Sequence, residues 1–196
     1  MRLAAGAPVS GSFELLGEEV AFSGRIIRAG IERFRMGDGS VVQRDKVWHP
    51  GAVGVLALDQ GHVWLTRQPR EAARLSASLE IPAGKLDVAG ETPLECARRE
   101  LAEEVGLRAG RWEPLLAFHT SVGFCDERIE LFLASELEPA LAGPRPDGDE
   151  RIEVVRWPLA RLWEAIAGST DSKTLIALLW LAARREDGAR VQETGA

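Results

Sequence analysis

The residues of this chain best equipped for chemistry stand together in Arg99-Glu100-Leu101-Ala102-Glu103-Glu104. If the stretch is helical, Glu100 and Glu104 lie one turn apart with Glu103 beside them. Three carboxylates so crowded repel one another unless a cation lies among them. Hard divalent ions such as magnesium take oxygen ligands, so the pattern reads as a metal site. A solvated acidic face, balanced by Arg98 and Arg99, accounts for the same residues equally well.

The helix that must present them is well marked. Thr92 suits the N-cap, Pro93 the first helical position, and Glu95 completes a capping box. Gly106 supplies a left-handed stop. Leu94, Ala97, Leu101 and Val105 share one apolar side at helical spacing. A glycine-bearing loop precedes the helix, and the whole run from Leu79 to Leu107 resembles the Nudix box. That pattern is Gly, five residues, Glu, seven residues, Arg-Glu, an aliphatic residue, any residue, Glu-Glu, any residue, Gly, aliphatic. Glu91, Arg99, Glu100, Leu101, Glu103, Glu104, Gly106 and Leu107 all match it. One departure stands out: six residues, not five, separate Gly84 from Glu91. The extra residue is expected to bulge outwards and leave Ala83, Glu100 and Glu104 in register.

The resemblance implies metal-dependent cleavage of a nucleoside diphosphate joined to another group. It also implies an α+β Nudix fold, an α/β/α sandwich with a mixed sheet, to which an N-terminal antiparallel strand meander is added. Glu100 and Glu104, helped by Glu103, are the expected ligands of Mg2+, with Mn2+ or another divalent cation as substitutes. In the ADP-ribose pyrophosphatase branch the backbone carbonyl of Ala83 joins them. Arg99 orients the glutamates, since a guanidinium holds carboxylates bidentately, and Glu91 ties loop to helix. Glu103 also counts among the catalytic residues. The general base in this branch comes from a late loop; Glu150 is the first choice and Glu153 the reserve.

Three flanking stretches resemble that branch more narrowly. Val47 to Val53 is similar to its strand entry. Gln68-Pro69-Arg70 is similar to a segment whose arginine meets the diphosphate. Ser121-Val122-Gly123-Phe124, followed by Asp126-Glu127, is similar to a segment in which Ser121 and Glu127 would hold substrate. Val122 stands where the branch usually has proline. Asp171-Ser172-Lys173-Thr174 is similar to the start of its last helix. The implied reaction is hydrolysis of ADP-ribose to AMP and ribose 5-phosphate. The alternatives are a Nudix pyrophosphatase for another nucleoside diphosphate sugar or a dinucleotide, and a non-catalytic nucleotide sensor. A homodimer with exchanged N-terminal strands is implied as well.

Composition sets the bounds. The 196 residues suffice for one domain with a substantial core. Hydrophobic residues make up 45% and charged residues 28%, the balance of a globular protein. A net charge of −6 argues against general nucleic-acid or anionic-membrane binding. No apolar run is long enough to span a bilayer and no signal peptide is evident. Cys96 and Cys125 lack metal-like spacing and fit a reduced, cytoplasmic setting.

Along the chain, 1–47 reads as a lead-in and strand meander, 48–186 as the catalytic domain and 187–196 as a flexible tail. Strands are expected at Val20–Phe22, Arg25–Ile27 and Ile31–Met36, with a hairpin turn at Gly37-Asp38-Gly39. Ala52 to Leu58 reads as a buried strand and His62 to Arg67 as its neighbour. Glu71 to Ser78 reads as a polar connection. Further strands are expected from Trp112, Ile129 and Ile152. Helices are expected over Pro158–Ala167 and from Asp171 or Ser172 to about Arg185. Phe34, Trp48 and Phe124 are candidates to stack on a nucleobase.

Overall fold

The computed structural model describes residues 11–141 and 151–193, with side chains as far as Arg185. It divides into two compact units. One comprises the chain up to His49 together with Ser121–Glu127, the other Pro50–Thr120 with the chain from Arg128 onward.

The first unit is an antiparallel sheet of β1 (Phe13–Ser23), β2 (Arg28–Met36) and β3 (Val41–Trp48), in that order. The hairpin at Gly37-Asp38-Gly39 forms as its residues dictate. Asp38 accepts the Ser40 amide at 2.9 Å, and Gly39 adopts a φ of 84°. Two expectations are corrected. The first strand begins at Phe13, inside the supposed lead-in, and Arg25–Ile27 is a turn, closed by Gly24 N–H donating to Ile27 O at 2.8 Å. The physical reason is exposure: Phe13, Phe22 and Val41 are 67%, 56% and 59% exposed, so the strands carry no clean alternation to read.

The second unit is a mixed sheet between two helical layers. Its main path is β10 (Glu153–Pro158), β5 (His62–Arg70), β4 (Ala52–Asp59), β9 (Arg128–Pro139) and β8 (Leu107–His119). β6 (Leu75–Glu80) adds to β5, and β7 (Ala83–Lys85) to β4. Only β4 and β9 run parallel among these pairs. The apolar run of β4 is continuous because both of its faces are covered. Ala52 and Leu56 pack in the core shared with α2 (Leu162–Gly168) and α3 (Ser172–Glu193), through Leu162, Leu178 and Leu181. Val53, Val55 and Ala57 face the other way, onto Cys96, Ala97 and Leu101 of the acidic helix. Leu101 is fully buried, worth about 2 kcal/mol of hydrophobic stabilisation.

Glu71 to Ser78 is not merely a connection. A short 3₁₀ turn at Glu71–Ala73 leads through Arg74, at a φ of 57°, into β6. Leu75-Ser76-Ala77-Ser78 has little strand propensity; pairing with β5 makes it a strand. α3 runs past the expected Arg185 to Glu193.

Candidate functional site

α1 (Pro93–Glu100) starts as its sequence demands. Glu95 N–H donates to Thr92 Oγ1 at 3.3 Å, and Thr92 N–H donates to Glu95 Oε2 at 2.8 Å. Over Leu101–Val105 the helix widens to π spacing, a local change frequent at functional sites, before Gly106 ends it at a φ of 73°. This widened turn carries Glu103 and Glu104.

Arg99 is the hub of the acidic group. Its Nε and Nη2 donate to the two oxygens of Glu91 at 2.8 and 2.9 Å, tying the loop to the helix. Its Nη1 donates to Glu100 at 2.7 Å and to Glu103 at 2.9 Å. The Glu91 hydrogen bonds, followed by the charge of Glu100 and the hydrogen bond to Glu103, raise its pKa against the cost of burial. The same bonds hold the Glu91 carboxyl below its ordinary range. Cys96, buried under this group, has its thiol pushed up to about 12, chiefly by desolvation, and is inert at neutral pH.

Glu104 is 3% exposed and accepts the Ala83 N–H at 3.0 Å. Glu100 lies against the next residue: a Cβ built on Gly84 would overlap its carboxylate. Two carboxylates one turn apart therefore clasp the backbone of Ala83-Gly84, with Glu103 linked to Glu100 through Arg99. Among the described residues no three acidic, imidazole or thiol side chains form a metal-holding cluster by themselves. The donors nonetheless suit a hard ion, since carboxylate oxygens and the neighbouring Ala83 carbonyl are the ligand type magnesium takes, usually keeping several waters besides. The glycine at 84 is the feature that leaves room for this. We expect Gly84→Ala to displace Glu100 and raise the magnesium concentration needed for half-maximal activity by about tenfold or more. An unchanged magnesium titration would refute the assignment.

The extra residue between Gly84 and Glu91 is taken up in an outward turn. Val88 is 51% exposed, Gly90 has a φ of 83°, and Glu91 N–H donates to Val88 O at 3.2 Å. The contacts of Ala83 and Gly84 with the helix are kept.

Arg70 holds Glu80 bidentately, Nε and Nη2 donating at 2.7 and 2.8 Å. Glu80 is 2% exposed, and Lys173 Nζ donates to it from the start of α3 at 2.7 Å. Desolvation acts to raise the Glu80 pKa, yet the Arg70 hydrogen bonds and the charge of Lys173 bring it down to about 2. Arg70 also feels the charges of Glu104 and Asp171. No sequence spacing groups Glu80 with Lys173 and Asp171; the one local signal is a lone acid inside the apolar run Leu79-Glu80-Ile81. Because the folded-state pKa is depressed from 4.5 to about 2, this stabilisation is present above pH 4.5 and is lost as pH falls towards 2. It amounts to about 3 kcal/mol. Acid denaturation should thus be steep in that window, and Glu80→Gln should flatten it; an identical acid limb in the variant would count against the network.

The Ser121–Glu127 segment belongs to the first unit. Phe124 and Cys125 N–H both donate to Ser121 O, at 3.1 and 2.9 Å. Asp126 accepts the His49 N–H at 2.8 Å and pairs with Lys46 at 3.0 Å, while Glu127 stands 3.6 Å from His49 Nδ1. Val122 is 85% exposed, so the turn is held by these bonds and not by a proline at that position. Of the stacking candidates, Phe34 packs edge-on against Phe13 at 5.4 Å, Arg28 lies 5.0 Å over Trp48, and Phe124 is 54% exposed. Glu150 lies outside the described residues. Glu153 opposes Arg67 across β10 and β5 and pairs with it at 2.9 Å.

Comparison with known proteins bears on the family and the fold. The NUDIX domain family model matches residues 48–179. An ADP-ribose pyrophosphatase of Bacillus subtilis (strain 168) is 37% identical over 169 residues, covering 85% of this chain and 90% of that protein. A GDP-mannose pyrophosphatase of Cronobacter sakazakii is 31% identical over 160 residues, covering 75% of this chain and 82% of that protein. A crystal structure of an ADP compounds hydrolase superposes with a TM-score of 0.77 at 22% identity, covering 91% of this chain and 96% of that one. At that identity the likeness concerns the fold.

Proposed function

The chain belongs to the Nudix hydrolase family, and from that premise we propose that it hydrolyses ADP-ribose to AMP and ribose 5-phosphate. It is a Nudix pyrophosphatase similar to ADP-ribose pyrophosphatases. The observation that carries the reading is the place of Arg70. Its guanidinium, anchored on Glu80, lies within electrostatic reach of Glu104, so a cation for the diphosphate stands near the carboxylates for the metal. Mg2+, or Mn2+ in its stead, supplies charge neutralisation at the diphosphate and acidifies water when bound. Glu100, Glu103, Glu104 and the Ala83 carbonyl would hold it. Arg99 orients Glu100 and Glu103 through its Nη1 hydrogen bonds. Arg70 binds the diphosphate, Ser121 and Glu127 help hold substrate, and Glu150, with Glu153 in reserve, takes the proton of the attacking water.

Product analysis over a panel of nucleotides tests the substrate. ADP-ribose should be cleaved fastest, giving AMP; slow cleavage beside rapid turnover of another compound would reject it. The second reading is a pyrophosphatase for another nucleoside diphosphate sugar or a dinucleotide. It is favoured by Val122 in place of proline and by the similarity to a GDP-mannose pyrophosphatase. The same panel separates the two.

The protein also acts, in this reading, as a homodimer in a reducing cytoplasmic setting. The exposed Phe13, Phe22 and Val41 of the first unit provide apolar surface for a second copy, and both cysteines are free thiols. Light scattering should give twice the chain mass, and a single monomeric species would refute the dimer. Among the described residues no helix is long and apolar enough to cross a membrane.

A further inference from the structure

The start of α3 makes a set of contacts that the proposed reaction does not by itself use. Asp171 caps the helix: its Oδ2 accepts the Thr174 N–H at 3.0 Å and the Thr174 hydroxyl at 2.6 Å. Thr174 Oγ1 in turn accepts the N–H of Ile81, two residues before Ala83, at 2.8 Å. Lys173 is 9% exposed, and its ammonium is shared between Glu80 at 2.7 Å and Asp171 at 2.9 Å. A lysine seldom sits so deep unless its charge is matched.

We propose that Lys173, acting through Glu80, is the positioning residue for Arg70 and thereby sets the affinity for the diphosphate. The proposal rests on the reading of Arg70 as the diphosphate contact. Arg70 and Lys173 against Glu80 and Asp171 make a neutral quartet, two cations to two anions. With both cations on it, Glu80 stays ionised despite near-complete burial, which keeps a bidentate acceptor under the Arg70 Nε and Nη2. Among the described residues Nη1 of Arg70 makes no hydrogen bond, and the side chain is 43% exposed. One edge of the guanidinium is therefore fixed while donors remain for an anionic oxygen.

Removing the ammonium changes that balance in one direction. The quartet becomes net −1, Glu80 draws on Arg70 alone, and Asp171 loses its cation, so an approaching diphosphate meets a more negative site. The effect falls on binding, because the Lys173 ammonium bonds Glu80 and Asp171, neither of which is a proposed metal donor.

The experiment is a double-mutant cycle on the full-length enzyme with saturating Mg2+. ADP-ribose is the substrate, or whichever nucleoside diphosphate compound the wild type cleaves fastest. Arg70→Ala should raise KM by about tenfold or more. Lys173→Met should raise KM about tenfold, with kcat within about threefold and the magnesium requirement unchanged. Added to Arg70→Ala, it should raise KM no further. An equal KM increase in both backgrounds would show that Lys173 merely supports the fold, and a wild-type KM would dismiss it outright. If Arg70→Ala itself leaves KM unchanged, Arg70 is not the diphosphate contact, and that reading falls together with this one. Should Lys173→Met fail to fold, Lys173→Gln, which keeps a donor for Glu80 but no charge, is read by the same criteria.

Discussion

Replacing Glu104 by glutamine should lower kcat, for whichever nucleoside diphosphate compound the wild type cleaves fastest, by about two to three orders of magnitude while leaving the protein folded. The substitution is nearly isosteric. Glutamine retains an oxygen to accept the Ala83 N–H, now met by Glu104 at 3.0 Å. What disappears is one negative charge at a site 3% exposed. Losing that charge relieves a desolvation cost, so thermal stability without metal should hold or rise. Magnesium binding and turnover should fall together, because a neutral amide is a poor ligand for a hard cation. Glu103→Gln should lower activity in the same direction. Wild-type hydrolysis by Glu104→Gln across a magnesium titration would remove Glu104 from the metal site.

Arg99→Ala should cost about 1–3 kcal/mol of stability and about a hundredfold in kcat/KM. Arg99 makes four hydrogen bonds to three carboxylates, those of Glu91, Glu100 and Glu103. Without it, Glu91, Glu100 and Glu103 lose the cation they share and the loop carrying Gly90 loses its tie to the helix. The cost stays modest because the Arg99 side chain is 30% exposed and water screens part of the repulsion. A divalent cation can take over some of the missing positive charge. Adding magnesium should therefore narrow the melting-temperature gap between variant and wild type, by mass action on the folded state. Arg99→Lys should fall between the two, since an ammonium restores charge but cannot span Glu91 bidentately while reaching Glu100 and Glu103. Equal melting temperatures with and without the arginine would show that it is a surface residue of no consequence.

Much of the acidic helix was legible in the chain itself, because its determinants are local. Capping by Thr92 and Glu95, the stop at Gly106 and the spacing of Glu100 and Glu104 all act within a few residues. Family resemblance then supplied the fold, and the continuous apolar run of β4 agrees with a strand covered on both faces. Less was legible where long-range pairing does the work. β6 is a strand because β5 offers it a partner, and β1 begins at Phe13 although its exposed faces leave no periodic pattern.

The site divides along the same line. By itself the sequence determined that Arg99, Glu100, Glu103 and Glu104 share a helix, and hence that carboxylates crowd together. Only the tertiary structure decided what each side chain touches. It set Glu104 on the Ala83 amide, packed Glu100 against Gly84, and joined Arg70, Glu80 and Lys173 into one ionic group, in which the bonded Glu80 and Lys173 are 93 positions apart. Helical spacing is set by the backbone over a single turn, whereas a buried ion pair forms only where packing brings distant charges together and excludes water from them.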